Sequence, residues 1–343
     1  MRRTPAAIIL LCLAAAAPAL AQQDVASFYK GKQIHLVVGS AAGSGYDIGA
    51  RIVARYISKY IPGNPTIVIE NQPGAASLSM TSALYNTQPR DGTVIGAAIN
   101  GMPTAPLLEP TGVRFDPTRL TWLGSTDSEV QVTYVWHTAA VQSYADLLTK
   151  ELITGATQPG TSQVDFPLVA NAVLGTKFKV ISGYPGTTDI HKAMEAGEVE
   201  GNGASAYASL KELNADWLAE KKVKTILQWG FHKDPGLPDV PSALDLAKSE
   251  ADKQALRLVL ARLQYSRPFF APPGLPPERT EALRRAFDMT MKDPDFLADA
   301  AKVHMEIAPV SGEDVAALVA EVSAAPPDIV ARVRTALAAP TGR

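Results

Sequence analysis

The sequence predicts an α/β fold in two parts, each a mainly parallel sheet flanked by helices. Three observations carry this. Short apolar runs rich in β-branched residues alternate with stretches of helical periodicity along most of the chain. The 343 residues fit two sheets better than one, at roughly 100–200 residues per domain. A proline-rich stretch containing Pro268, Pro272, Pro273, Pro276 and Pro277 marks where the chain returns to its first sheet. The expected organisation is 1–21 as a leader, 22–126 with 265–343 as a discontinuous first lobe, and 127–264 as the second.

The elements follow in order. Ile34–Val38 reads as a strand, Gly39–Gly45 as a glycine-rich loop, and the stretch from Asp47 as a helix. Ile48, Ile52, Val53, Ile57, Tyr60 and Ile61 recur there at helical spacing, and Pro62-Gly63-Asn64-Pro65 ends the run. Thr66–Ile69 completes a βαβ unit with a parallel pair. A second loop, Asn71–Ser77, opens a helix to about Tyr85; Asp91-Gly92 turns into the strand Thr93–Ile99, which Asn100-Gly101 closes. Further strands are expected at Val130–Trp136, Ile153–Ala156, Phe178–Ile181 and Thr225–Trp229. Further helices are expected at Ser143–Thr149, Thr188–Ala196, Ser242–Leu246, Ala251–Gln264, Pro277–Met291, Asp295–Val303 and Gly312–Val322.

Composition bounds the function. Hydrophobic residues make up 46% and charged residues 19%, a globular balance. With 32 basic and 34 acidic residues there is no surplus to neutralise phosphates, which argues against nucleic acid as a partner. One cysteine makes neither an internal disulfide nor a zinc site. Arg2 and Arg3, the apolar run Pro5–Ala17 and the small-x-small triplet Ala19-Leu20-Ala21 form a secretory signal peptide cleaved after Ala21. The run is short for a bilayer span. Leu10 and Leu11 ahead of Cys12 are too large for a lipid-attachment signal, and the rest of a twin-arginine motif is missing. The mature chain of 322 residues carries 30 basic and 34 acidic residues and no cysteine. It reads as a soluble exported protein, placed in the periplasm.

The sharpest chemical signal is the loop with Ser40, Gly43, Ser44 and Gly45. Glycines let a backbone approach a ligand, and a helix start supplies unpaired N–H groups and partial positive charge. Together they bind anions. Ala75, Ala76, Ser77, Asn100 and Gly101 follow other strands and add donors at the carboxyl edge of the same sheet, where open α/β sheets bind ligands. Asp47 either caps the helix or meets a ligand amine, and Tyr46 either leans over the ligand or packs on the sheet. A dinucleotide site is disfavoured: the fingerprint Gly43-x-Gly45 requires glycine at position 48, where Ile48 stands. No G-x-S-x-G occurs, since Gly203-Ala204-Ser205-Ala206-Tyr207 fails at its last place. The five histidines lack metal-ligand spacing. No catalytic set, metal site or cofactor is predicted. No arginine lies in the glycine-rich loops, so backbone amides rather than a guanidinium fork are the expected anion holders.

An ordered set of motifs then resembles one family. Phe28-Tyr29-Lys30-Gly31-Lys32-Gln33-Ile34, the glycine-rich loop and Tyr46-Asp47-Ile48-Gly49-Ala50-Arg51 come first, followed by Val68–Ala75 and Pro89–Gly96. Gly183-Tyr184-Pro185-Gly186, Leu237–Pro241, Ala271–Pro276, Lys292-Asp293-Pro294 and Pro309–Glu313 complete it. The set resembles the Bug-type receptors, extracytoplasmic solute-binding proteins of tripartite tricarboxylate transporters. The resemblance implies a type II-like periplasmic binding protein of two lobes with a ligand cleft between them, monomeric and without enzymatic activity. It would hold a small carboxylate (dicarboxylate, amino acid or aromatic acid) and hand it to transporter membrane subunits. It also implies first-lobe contacts from Ser40–Asp47, Ala75–Ser77 and Asn100–Gly101. Second-lobe contacts would come from Thr157, Gly160, Thr161, Ser162, Gly186, Thr187, Asp189 and Ser205. Two features depart from the family pattern: Tyr46 stands where a small residue is usual, and Gly201–Ser205 is unlike other members.

Overall fold

The computed structural model describes residues 25–108 and 111–342; the leader expected at 1–21 lies outside them. The strands are β1 (Gln33–Val38), β2 (Thr66–Asn71), β3 (Val94–Ala97), β4 (Thr121–Ser125), β5 (Gln131–Trp136), β6 (Leu152–Ala156), β7 (Phe178–Ser182), β8 (Gly201–Ala206), β9 (Val223–Trp229), β10 (Pro268–Ala271) and β11 (Val310–Ser311). They form two sheets, β11-β4-β10-β3-β1-β2 and β7-β6-β8-β5-β9.

In the first sheet β1 is parallel to β2 and β3, and both its faces are covered. Leu36 and Val38 pack against Ile52, Val53 and Ile57 of the helix Gly45–Ile57 and against Phe287. Val37 joins Met80, Leu84, Trp122 and Phe270 on the other side. This double burial is why β1 reads as one unbroken apolar run instead of an alternating one.

The sheets are mixed, not mainly parallel. Strand β10 is antiparallel to β3 and β4, and β5 is antiparallel to β8 and β9. The cause is the route of the chain. Strand β4 leaves the first sheet at the lobe junction, so β5 enters the second sheet from that edge and must run against β8. Strand β10 returns from the same edge and runs against β3. The two crossings lie side by side: Glu129 N–H donates to Leu263 O (2.9 Å), Ser266 N–H to Asp127 O (3.0 Å) and Thr126 N–H to Arg267 O (3.3 Å).

Three further differences have local causes. Ser242–Leu246 forms turns, not a helix. The helix Ser162–Leu174 has no amphipathic signature, because ten of its thirteen residues are buried. It presses so close to β8 that a Cβ on Gly203 would lie 2.5 Å from Pro167 Cγ. The last helix, Pro327–Leu337, expected with the first lobe, packs instead on the second: Ile329, Val330 and Val333 share a core with Val169, Leu256 and Leu260. Gly342 then bridges Ile181 at the outer edge of β7.

Candidate functional site

The topology puts both carboxyl edges at the junction. Loops 39–44, 72–77 and 98–101 follow the parallel strands β1, β2 and β3, and β4 ends at that same edge in the crossing to β5. In the second sheet, loops 157–161 and 183–186 follow β6 and β7, which run opposite to the entering strand β5. The cleft between these loops is the candidate site.

Within the first loop, Ser44 is the N-cap of its helix, and its Oγ accepts from Asp47 N–H (3.3 Å) and meets Ser40 Oγ at 2.8 Å. Asp47 is therefore not the cap. It is buried, and its carboxylate accepts from Gly43 N–H (2.8 Å), Arg51 Nε (2.9 Å) and Asn71 Nδ2 (2.8 Å). Burial pushes its pKa up, but Arg51, Gly43 and Asn71 together hold it below the ordinary value. Asp47 thus ties loop, helix and β2 together, and its oxygens are already engaged. The first N–H groups of the helix, at Gly45 and Tyr46, lack intrahelical partners by construction, and Gly45 is exposed.

The second loop holds three successive non-glycine residues at positive φ: Ala75 (44°), Ala76 (50°) and Ser77 (75°). Such backbone costs about 1–2 kcal/mol per residue and persists only where its surroundings impose it. Ser77 imposes it here. Its buried hydroxyl donates to Gly39 O (3.0 Å) and accepts from Ile99 N–H (3.0 Å), joining all three loops. Ser77 is accordingly a clamp rather than a ligand contact, whereas Ala75 and Ala76 are exposed and present their N–H groups. Tyr46 leans across the sheet edge, where its Oη lies 3.5 Å from Asn100 N. Burial, then the charge of Glu129, pushes its phenol up to about 12.

In the second lobe, Gln163 organises the predicted residues. Its Oε1 accepts from Thr157 N–H and Oγ1 (both 3.1 Å), and its Nε2 donates to Thr187 Oγ1 (3.2 Å). Thr161 and Gly186 stand at the N-caps of Ser162–Leu174 and Thr187–Glu195 without a side-chain cap bond, since the Thr161 hydroxyl turns to Gln158 O (2.7 Å). Asp189 lies in the first turn of the second of these helices and pairs with Lys192 at 3.6 Å. Ser205 is the penultimate residue of β8, opposite Val132.

The lobes meet at Gly101 and Gly160: a Cβ on Gly101 would lie 3.8 Å from Gly160 O. A cavity of about 60 Å³ there is lined in part by Ala76, Gly101, Gly160, Asp165 and Arg262. Arg262 is buried; it donates to Gly160 O (2.9 Å) and pairs with buried Asp165 (2.9 Å). The pair lay hidden from sequence reasoning inside two helical stretches. The exposed ion pair His304–Glu212 (3.4 Å) is a second link between the lobes.

The crossing also carries Asp127, whose Oδ2 accepts from Arg267 Nη1 at 2.8 Å. Burial first, then the charge of Glu129, pushes Asp127 up to about 7 against the opposing charge of Arg267. A carboxyl raised in the folded state takes up a proton that the unfolded chain, with a pKa near 3.8, releases. Its contribution is therefore favourable at low pH and is lost as the pH rises to about 7. Thermal stability should increase as the pH falls from 8 to 5, with a limit of about 1.4 kcal/mol per pH unit below 7. Asp127→Asn should flatten that slope in unfolding scans; an unchanged slope would place its origin elsewhere.

No family model matches the chain. It is 26% identical over 313 residues to the UPF0065 protein in gbd 5'region of Cupriavidus necator, covering 85% of this chain and 84% of that protein. Among solved structures, a TctC solute-binding protein from Polaromonas superposes with a TM-score of 0.69 at 18% identity, over 90% of this chain and 99% of that one. The periplasmic binding protein BugD gives 0.62 at 18%, covering 90% and 98%. MatC from Rhodopseudomonas palustris with bound malate gives 0.60 at 18%, covering 89% and 99%. At these identities the structures establish the fold: two lobes of the periplasmic binding-protein type.

Proposed function

We infer that this chain, a homologue of UPF0065 proteins built on the TctC and BugD fold, is a Bug-type periplasmic receptor. It captures a small carboxylate and delivers it to the membrane subunits of a tripartite tricarboxylate transporter. The observation that carries the reading is a set of amide groups without side-chain caps on the loops and helix starts that follow β1, β2, β6 and β7: Gly45 and Tyr46, Ala75 and Ala76, and the helix starts at Ser162 and Thr187. Hydrogen bonds to a charged group contribute about 1.5–3 kcal/mol each and a helix terminus about 0.3–1 kcal/mol. Three or four, less the ordering cost, reach the roughly −8 kcal/mol of a micromolar complex. The malate bound to MatC is a solute of this class.

The reading makes the protein a monomeric carrier without catalysis, exported by the leader ending at Ala21. No helix among the described residues is long and apolar enough to cross a membrane. On this reading the lobes close around the solute only as far as a closed form binds it better than an open one. A thermal-shift screen of mono-, di- and aromatic acids tests it. One or more acids should raise Tm at one-to-one stoichiometry and be recovered unchanged. Turnover of the acid, or no shift with any acid, would overturn the reading.

A further inference from the structure

We propose that the cleft has a second pole, a subsite for a protonated amine at the lobe junction, formed by the carboxylates of Glu129 and Asp127 and the amide oxygen of Gln131. The solute would then carry an ammonium group beside its carboxylate. This rests on the receptor reading above and narrows it to amino acids and related zwitterions.

The first support is unmet acceptor capacity. Gln131 is more than nine-tenths buried, and its Nε2 donates to Glu129 Oε1 at 2.7 Å. That bond fixes the orientation of the amide, and its Oε1 meets no donor among the described residues. Asp127, also buried, spends Oδ2 on Arg267, while its Oδ1 has no donor. These groups lack donors, and an ammonium is three donors with no acceptor.

The second is the balance of charge. Glu129, Asp127 and nearby Glu306 face the single guanidinium of Arg267. The other cation of the region, Arg262, is taken up by Asp165 at 2.9 Å. A second carboxylate placed here would meet like charge, whereas an ammonium would relieve it.

The third is position. Arg267 Cδ would lie 3.6 Å from a Cβ on Gly49, one turn beyond Gly45, so the junction packs against the helix that presents the anion site. Glu129 is half-buried and its charge reaches the phenol of Tyr46. Among the described residues no group of three or more His, Cys, Asp or Glu side chains is placed to hold a metal ion.

Calorimetry on the mature protein tests this with matched acids that differ only in the amine: glutamate against glutarate, and leucine against 4-methylpentanoate. The amino acid of at least one pair should bind 100-fold or more tightly than its partner. Glu129→Gln should weaken that amino acid at least 30-fold and leave the amine-free acid unchanged or improved; Gln131→Leu, which keeps the carboxylate, should cost about tenfold. Unfolding scans confirm that each variant is folded. Equal binding within both pairs, or equal loss for both members in Glu129→Gln, would overturn the subsite. So would binding of only amine-free acids, which would leave the receptor reading intact. Failure of every acid in the thermal-shift screen would overturn both.

Discussion

Valine at position 45 is expected to abolish solute binding while leaving the protein folded. Gly45 is the first residue of its helix, its φ is not in the left-handed region, and a Cβ there would meet nothing within 4 Å. The backbone therefore accepts a side chain, and the helix gains slightly in propensity over glycine. The isopropyl group would enter open space beside the proposed anion site at the Gly45 and Tyr46 N–H groups. Blocking two charge-assisted hydrogen bonds should weaken binding at least 100-fold, or about 2.7 kcal/mol, with Tm nearly unchanged. Calorimetry with the acid identified by thermal shift measures the first, and an unfolding scan the second. Unaltered affinity would remove this loop from the site. Gly43, at φ 80°, is the poorer choice for such a test, because a valine there would strain the loop itself.

Arg262→Ala is expected to give the largest loss of stability. Both partners of the Arg262–Asp165 pair are almost fully buried, and removing one leaves the other charged and alone. Such losses run to about 3–5 kcal/mol, or roughly 6–10 °C in Tm for a chain of this size. The variant also loses the bond to Gly160 O, so the contact between Gly101 and Gly160 loosens. Burial already pushes the Asp165 carboxyl up against the charge of Arg262. Without the arginine it rises further, so the deficit should shrink on acidification as the carboxyl is neutralised. Unfolding scans at pH 8 and pH 5 measure both effects; a Tm shift below 2 °C at pH 8 would show that the pair contributes little.

Elements that obey a simple period were legible before the structure. The βαβ unit from β1 to β2 is apolar in the strands and amphipathic in the helix, and its limits fall within a few residues of expectation. The strand β8 was not legible. Gly-Asn-Gly-Ala-Ser-Ala carries no hydrophobic pattern, because its small residues are set by the close approach of Gln163 and Pro167 on one side and of Tyr134 O on the other. The buried helix behind it fails for the opposite reason, having no polar face to mark a period. In the site, the loop glycines were visible as chemistry, but Gln163, Glu129, Gln131 and Arg262 were not. Glu129, Gln131 and Arg262 lie at the crossings between sheets, and Gln163 bonds to Thr187, 24 residues away in sequence, long-range events that no local spacing encodes. Asp47 and Ser77 were visible as polar loop residues, yet the structure turns both inward, a distinction that depends on burial.

The course of the last helix has a mechanical consequence. The chain passes between the halves at 126–130, again at 261–267, and a third time at Ala324–Pro326, where it joins the helix Gly312–Ser323 on the first sheet to Pro327–Leu337 on the second. Two adjacent ribbons can twist as well as bend, whereas a third tether behind them resists torsion. Opening is thereby expected to follow one hinge, with little torsion between the halves. Trimming the final twenty residues would cut that tether and strip a side from the core of the second half, leaving a looser joint on a damaged body.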